Sequence, residues 1–401
     1  MTLLPAASSS AKRPFWILPV IIISEFAGTS LWFATNAIFP DLEKSLQLGS
    51  DVVGIVTSAI QLGFIAGTLC FAFFTVADRF SPRMIFAICS FAGALFNIGI
   101  LSFSHSFSSV LALRFFTGVC LAGIYPVGMK IASGWYREGL GNALGFLVGA
   151  LVLGTSLPHL LKSVGQGMPW ENVTIAISSA AVVGGVLMLL FVPDGPYLLK
   201  GTPFNSKALA LIFQSKKLRS AAFGYFGHMW ELYTFYAFLP VVLSAYGTLH
   251  HLSLDTSFWT FVVIAAGVVG CGAGGLLSEK AGSARVASLQ LFCSGLCCLC
   301  SPLMFNGSVE IFLGLFVFWG IVVVGDSPQF SALVAKFAPE ELVGSALTIT
   351  NSIGFTITII SIEVVSYASR IVGEKYLFFL LAIGPALGLL SMVSFFRKHR
   401  A

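Results

Sequence analysis

The sequence predicts an all-α polytopic membrane protein of twelve transmembrane helices, arranged as two pseudo-symmetric six-helix bundles. Three observations predict it: a composition too apolar for water, twelve apolar runs of membrane-spanning length, and an internal repeat that returns after about two hundred residues. Of 401 residues, 57% are hydrophobic and 10% charged, with a mean hydropathy of +0.92. Soluble proteins carry about a quarter of their residues as charges, and a chain this poor in charge cannot coat a globule. The same numbers exclude a disordered chain and a nucleic-acid-binding protein. Eight cysteines lie mostly inside apolar runs, which is not the pattern of an extracellular disulfide framework.

In chain order the runs fall near 15–38, 52–76, 84–103, 110–132, 140–161 and 172–192, then near 220–245, 257–277, 287–305, 311–333, 344–368 and 376–396. About 20 apolar residues cross the hydrocarbon core as a helix, and these runs are too long and continuous for barrel strands. The first follows Lys12 and Arg13 but exceeds a signal-peptide core, so it is expected to be retained. The charges between runs support the count. Seventeen cations fall in alternate segments: Lys12, Arg13, Arg79, Arg83, Lys130, Arg137, five between 193 and 219, Lys280, Arg285, Lys336, Arg397, Lys398 and Arg400. The other segments hold four: Lys44, Lys162, Arg370 and Lys375. Cations collect on the cytoplasmic side, so both termini are expected there, with the chain multi-pass in a plasma (bacterial inner) membrane.

The repeat divides the chain. Gly118-Val-Cys-Leu-Ala-Gly123-Ile-Tyr-Pro126 matches Gly320-Ile-Val-Val-Val-Gly325-Asp-Ser-Pro328 at an offset of 202. Gly141-Asn-Ala-Leu144 matches Gly344-Ser-Ala-Leu347 at 203, and Ala37-Ile-Phe-Pro40 matches Ala237-Phe-Leu-Pro240 at 200. Six spans return the chain to its starting side, so the repeats run parallel, and such halves place a substrate site at their interface near mid-membrane. The expected division is an N-terminal bundle at 1–192, a cytoplasmic linker at 193–219 and a C-terminal bundle at 220–401. The linker is too short to bury a core of its own.

On these motifs the chain resembles the major facilitator superfamily across essentially its whole length. The family's loop signature, roughly G-x-x-x-D-[RK]-x-G-[RK]-[RK], is similar to Gly275-Leu-Leu-Ser-Glu279-Lys280-Ala-Gly282-Ser-Ala-Arg285. The first copy, Ala77-Asp78-Arg79-Phe80-Ser81-Pro82-Arg83, keeps the acid–base pair but has Phe74 and Ser81 where the family has Gly. The resemblance implies a cytoplasmic gate built from Asp78, Arg79, Arg83, Glu279, Lys280 and Arg285. It also implies a central cavity lined by spans 1, 4, 7 and 10. Arg114, followed by Gly118, resembles the family's fourth-span Arg motif, and Gly227-His228-Met-Trp230-Glu231-Leu-Tyr233 is similar to a branch of bacterial members. The fifth span lacks the Gly-Pro of the family's antiporter motif, which weighs against export.

Five charges fall inside spans: Glu25, Arg114, Glu231, Asp326 and Glu363. A charge at a helix centre costs about 2.5–3.5 kcal/mol on insertion scales, so such residues face a bundle interior or a wet cavity and mark function by default. Glu25 leads, with Thr29, Trp32 and Asn36 following at helical spacing on one face. A carboxyl taken out of water resists ionising, so it can carry a proton. His228 and Glu231 share a face of span 7 and read as a relay pair; Tyr233 and Tyr236 beside them read as packing. Asp326 lies between Gly325 and Ser327-Pro328, where span 10 is expected to kink, and Trp319 shares its face. Arg114 lies about one turn in from the outer surface. Glu363, near the outer end of span 11, can simply reach water. Gln61 is a further cavity-lining residue. Cys293, Cys297 and Cys300, with Cys298 beside them, have no partnering histidine and read as small, weakly polar residues of a packed helix, and no metal or other cofactor is expected.

The chain contains no G-x-S-x-G, H-E-x-x-H or Walker motif, so an enzyme is not expected and transport would run on a gradient. The expectation is a monomeric secondary transporter of a small solute, proton-coupled through Glu25 with His228–Glu231 or Asp326, whose partners are its substrate, protons and the lipid bilayer but no nucleic acid. The alternative is a non-transporting sensor or assembly subunit on a transporter fold.

Overall fold

The structure is a computed structural model that describes residues 14–46, 52–103, 106–136, 140–165, 169–198 and 204–396. Lys12, Arg13, Arg137, Lys200, Arg397, Lys398 and Arg400 lie outside the described residues. Among the described residues, twelve helices are long and apolar enough to cross a membrane. Spans 1–6 are Ile17–Lys44, Val52–Phe73, Pro82–Phe103, Phe107–Trp135, Leu140–Val164 and Trp170–Phe191. Spans 7–12 are Lys216–Leu249, Thr256–Ala281, Ser283–Met304, Val309–Phe337, Glu340–Ala368 and Glu374–Phe396. The chain is a multi-pass, all-helical membrane protein. Between spans 6 and 7, Lys207–Gln214 forms a short helix with Ala208 and Ile212 buried. The face that carries this connection is the linker face; the other is the far face.

Three spans are broken. Span 10 divides into Val309–Gly325 and Ser327–Phe337 at Asp326, and span 4 into Phe107–Leu121 and Tyr125–Trp135. In both, the proline falls in the first turn of the second piece, where its missing N–H costs nothing. Span 1 divides into Ile17–Thr29 and Ala34–Leu46, a break the sequence does not announce. The two copies of the loop signature turn differently. Gly282 sits at φ +85, whereas the first copy, lacking that glycine, places Thr75 at φ +49 and starts the next helix at Pro82.

Each half is held by close backbone approach. A side chain on Gly63 or Gly67 of span 2 would strike the carbonyls of Phe115 or Val119 on span 4, and one on Gly118 would strike that of Ile60. Spans 8 and 10 repeat this through Gly270 against Ile321 and Gly320 against Val263. Small residues at such crossings let helices associate in lipid by dispersion and Cα–H···O contact.

The halves meet along spans 2 and 11 and along spans 5 and 8. Near the far face the contacts are polar and tight: Ser58 Oγ donates to Glu363 at 2.7 Å, and Ser163 Oγ donates to Asp255 at 2.6 Å. Midway, Gly149 still meets Val268 at 3.5 Å. Gly145 and Gly141 continue the same face of span 5 toward the linker face, as Gly272 and Gly275 do on span 8. Among the described residues, none of these four has a neighbour within 4 Å of where a Cβ would stand. Along spans 5 and 8 the halves are therefore joined toward the far face and open toward the linker face.

Candidate functional site

All ten residues expected to line the cavity are inside the protein, at 6% exposure or less. None points at lipid. Their partners differ from the expected ones, because the break in span 1 ends the single stripe. The Glu25 carboxyl lies against Gly128 of span 4, whose missing side chain makes the room. Thr29 faces Gly154 of span 5 and spends its hydroxyl on the Glu25 carbonyl at 2.7 Å. Trp32 and Asn36 turn to span 2, donating to Gln61 Oε1 at 3.3 Å and Thr57 Oγ1 at 2.8 Å.

Neither Glu25 oxygen has a hydrogen-bond partner among the described residues. Tyr125, at the break of span 4, lies within electrostatic reach of Glu25 and also of Tyr225, Tyr233 and Cys271 in the other half. Just beyond, Trp32 stacks on Tyr233 at 5.6 Å and on Phe355 at 5.7 Å, and Phe33 stacks on Tyr233 at 6.1 Å. Tyr233 belongs to this inter-bundle contact, and the Tyr236 hydroxyl is buried there without a partner among the described residues.

The expected His228–Glu231 relay is divided. His228 Nδ1 lies 2.8 Å from Asp326 Oδ1, both residues 1% exposed. Glu231 turns into its own bundle, where Oε1 accepts from Trp319 Nε1 at 2.7 Å, from Cys298 Sγ at 3.4 Å and from Ser294 Oγ. The shared faces are present: His228 and Glu231 on span 7 oppose Asp326 and Trp319 on span 10. The two helices run in opposite senses, so they pair rung by rung, His228 with Asp326 and Glu231 with Trp319. Ser294 and Cys298 of span 9 complete the second rung; polar residues facing inward from an apolar span were the signal for them.

Arg114 is also placed differently from expectation. It neither reaches the surface nor faces Glu25. Its guanidinium donates to the carbonyls of Leu31 at 3.2 Å and Trp32 at 2.5 Å, and to Asn97 Oδ1 at 3.3 Å. A broken helix leaves carbonyls without intrahelical donors, and Arg114 satisfies those of span 1. Asn97 in turn donates to Ser178 at 3.0 Å.

Of the six gate residues, Asp78 is paired within its own half, accepting from Lys130 of span 4; Lys130 also donates to the Ala77 carbonyl at 2.8 Å. Arg79, Glu279, Lys280 and Arg285 are exposed and Arg83 half-buried, and none of these five enters an ion pair among the described residues. Lys130, counted from sequence only as a topological charge, is the partner the acid uses. Among the described residues no cluster of three or more His, Cys, Asp and Glu is placed to hold a metal ion.

A sequence model of the Major Facilitator Superfamily matches residues 21–362. The uncharacterized MFS-type transporter YcaD of Escherichia fergusonii is 27% identical over 252 residues, 60% of each chain. YcaD of Salmonella paratyphi B is 26% identical over 269 residues, 64% of this chain and 65% of that one. The match thus spans less than two thirds of those relatives. In fold, the chain is similar to a bacterial homolog of the human lysosomal transporter Spinster, solved in an inward-facing and unoccupied conformation. That likeness has a TM-score of 0.73 and 14% identity, and it covers 98% of this chain and 100% of that one. With twelve spans, two parallel halves, broken spans 4 and 10 at matching places, and a sequence match over most of its length, the chain belongs to the Major Facilitator Superfamily.

Proposed function

We propose that this chain is a secondary active transporter that carries a small solute across a bacterial inner membrane by alternating access, coupled to protons. It works as a monomer, with the linker face and both termini cytoplasmic. The observation that carries this reading is Glu25: a carboxyl buried against Gly128 between spans 1 and 4, with no hydrogen-bond partner among the described residues, in a protein whose spans 5 and 8 stand apart toward the linker face. An unpaired carboxylate out of water is costly. Charge on Glu25 therefore favours an arrangement that admits water or a cation, and protonation removes that demand. Rocking of the halves and loading of a proton become two sides of one equilibrium.

The His228–Asp326 pair, on the other half, supplies a second group whose charge can change with the arrangement. Arg114 is engaged by backbone carbonyls, which leaves the seam with acids and tyrosines; this favours a cationic, neutral or zwitterionic solute over an anion. The exposed loop-signature charges Arg79, Glu279, Lys280 and Arg285 are free to form inter-bundle contacts once the linker face closes, which is the gate role.

The test is flux in proteoliposomes under an imposed pH gradient, with solutes chosen by thermal-shift screening, since a ligand selective for the folded state raises apparent stability. Solute uptake that follows the gradient supports the proposal. Binding without flux would favour the sensor alternative.

A further inference from the structure

We propose that the groove where spans 7 and 12 reach the linker face binds the headgroup of an anionic phospholipid. The groove is a cavity of about 390 Å³. Its position sets the depth: Lys216 is the first residue of span 7 and Phe396 the last of span 12, so the mouth lies where apolar spans end and headgroups begin.

Its chemistry is graded along that depth. Lys216 and Arg219 stand at the mouth, both exposed, and among the described residues no acidic residue lines the groove. Arg219 commits one nitrogen to the Phe213 carbonyl at 2.8 Å, which fixes the guanidinium while its remaining N–H groups stay available to a phosphate. Next come the hydroxyls: Ser220 and Ser394 share a hydrogen bond of 2.6 Å, and Ser391 donates to the Ser220 carbonyl at 3.1 Å. The remaining wall is apolar and turned outward, with Phe223 40%, Leu390 69% and Val393 40% exposed. Two cations, then hydroxyls, then a hydrocarbon wall open to the bilayer match phosphate, glycerol ester and acyl chain in that order. A free phosphate would use the first part only. The groove lies away from the seam, so the assignment does not depend on transport.

The experiment is native mass spectrometry of the purified full chain, titrated with phosphatidylglycerol or with phosphatidylcholine of the same acyl chains. Wild type should retain phosphatidylglycerol preferentially, and K216A/R219A should lose that preference by on the order of tenfold. Lys375→Ala, a cation on the far face, should leave it unchanged. The charge-keeping variant K216R/R219K should keep most of it, which separates charge from folding. Equal retention of the two lipids by wild type, an unchanged preference in K216A/R219A, or loss in K216R/R219K overturns the assignment. So does full displacement of phosphatidylglycerol by millimolar inorganic phosphate, which would make this a free-anion site.

Discussion

The two halves place different chemistry on the same rungs. In the first half, span 1 meets span 4 through Glu25 against Gly128, Gly28 against Ile124, and the Leu31 and Trp32 carbonyls on Arg114. In the second, span 7 meets span 10 through Gly224 against Phe330, His228 against Asp326, and Glu231 against Trp319. Offsets of 200 and 202 carry Gly28 and Ile124 onto His228 and Asp326, and the rungs on either side correspond to within one to three residues. Where one half packs a glycine on an isoleucine, the other holds a buried histidine against an aspartate. Where one keeps a cation on backbone carbonyls, the other keeps a carboxyl under three donors. The difference teaches that the backbone approach is duplicated while the charges are not. It also singles out Glu25, whose oxygens no group of its own half satisfies.

The largest effect that would break this comparison is on Glu25. Glu25→Gln is expected to bring gradient-driven uptake in proteoliposomes down to the background of empty vesicles while solute exchange persists; full pH-driven uptake by the variant would refute its role. Arg114→Leu should come next, by leaving the span 1 carbonyls and Asn97 without a donor. We expect a loss of about 2–4 kcal/mol, read as a lower unfolding midpoint in detergent. Arg114→Lys should recover only part of it, because an ammonium cannot fork to two carbonyls.

The duplicated backbone contact gives a sharper test of symmetry. Gly118→Ala and Gly320→Ala each drive a methyl into a facing carbonyl and should destabilise by a similar ~1–3 kcal/mol. Gly145→Ala has open space and should change stability by less than about 0.5 kcal/mol. Unequal losses for the first two would mean that the halves differ in packing as well as in charge. Among the charged residues the smallest expected effect is that of Glu231→Gln, whose amide oxygen can still accept from Trp319, Ser294 and Cys298. It should cost about 1 kcal/mol or less, whereas Glu231→Ala strands those donors and should cost more, measured by the same unfolding midpoint.

The gate shows how far a motif reaches without its neighbours. The loop signature located Asp78 and its cations at the linker face, but not that Asp78 binds Lys130, because the partner is supplied by another helix. The first-copy turn likewise forms without the family's glycine: a left-handed Thr75 and a helix-starting Pro82 do its work.

From the sequence alone came the twelve spans, their halves, the burial of Glu25, Arg114, His228, Glu231 and Asp326, and the kink at Asp326. These depend on bilayer thickness, on the cost of charge in lipid and on local residues such as Pro328, all of which act along a single helix. Only the tertiary structure decided that span 1 breaks after Thr29, that Arg114 closes that break, that His228 pairs with Asp326 and not Glu231, and that spans 5 and 8 part toward the linker face. Those outcomes depend on the rotation and crossing of one helix against another, and helical periodicity fixes which residues share a face but not which face it meets.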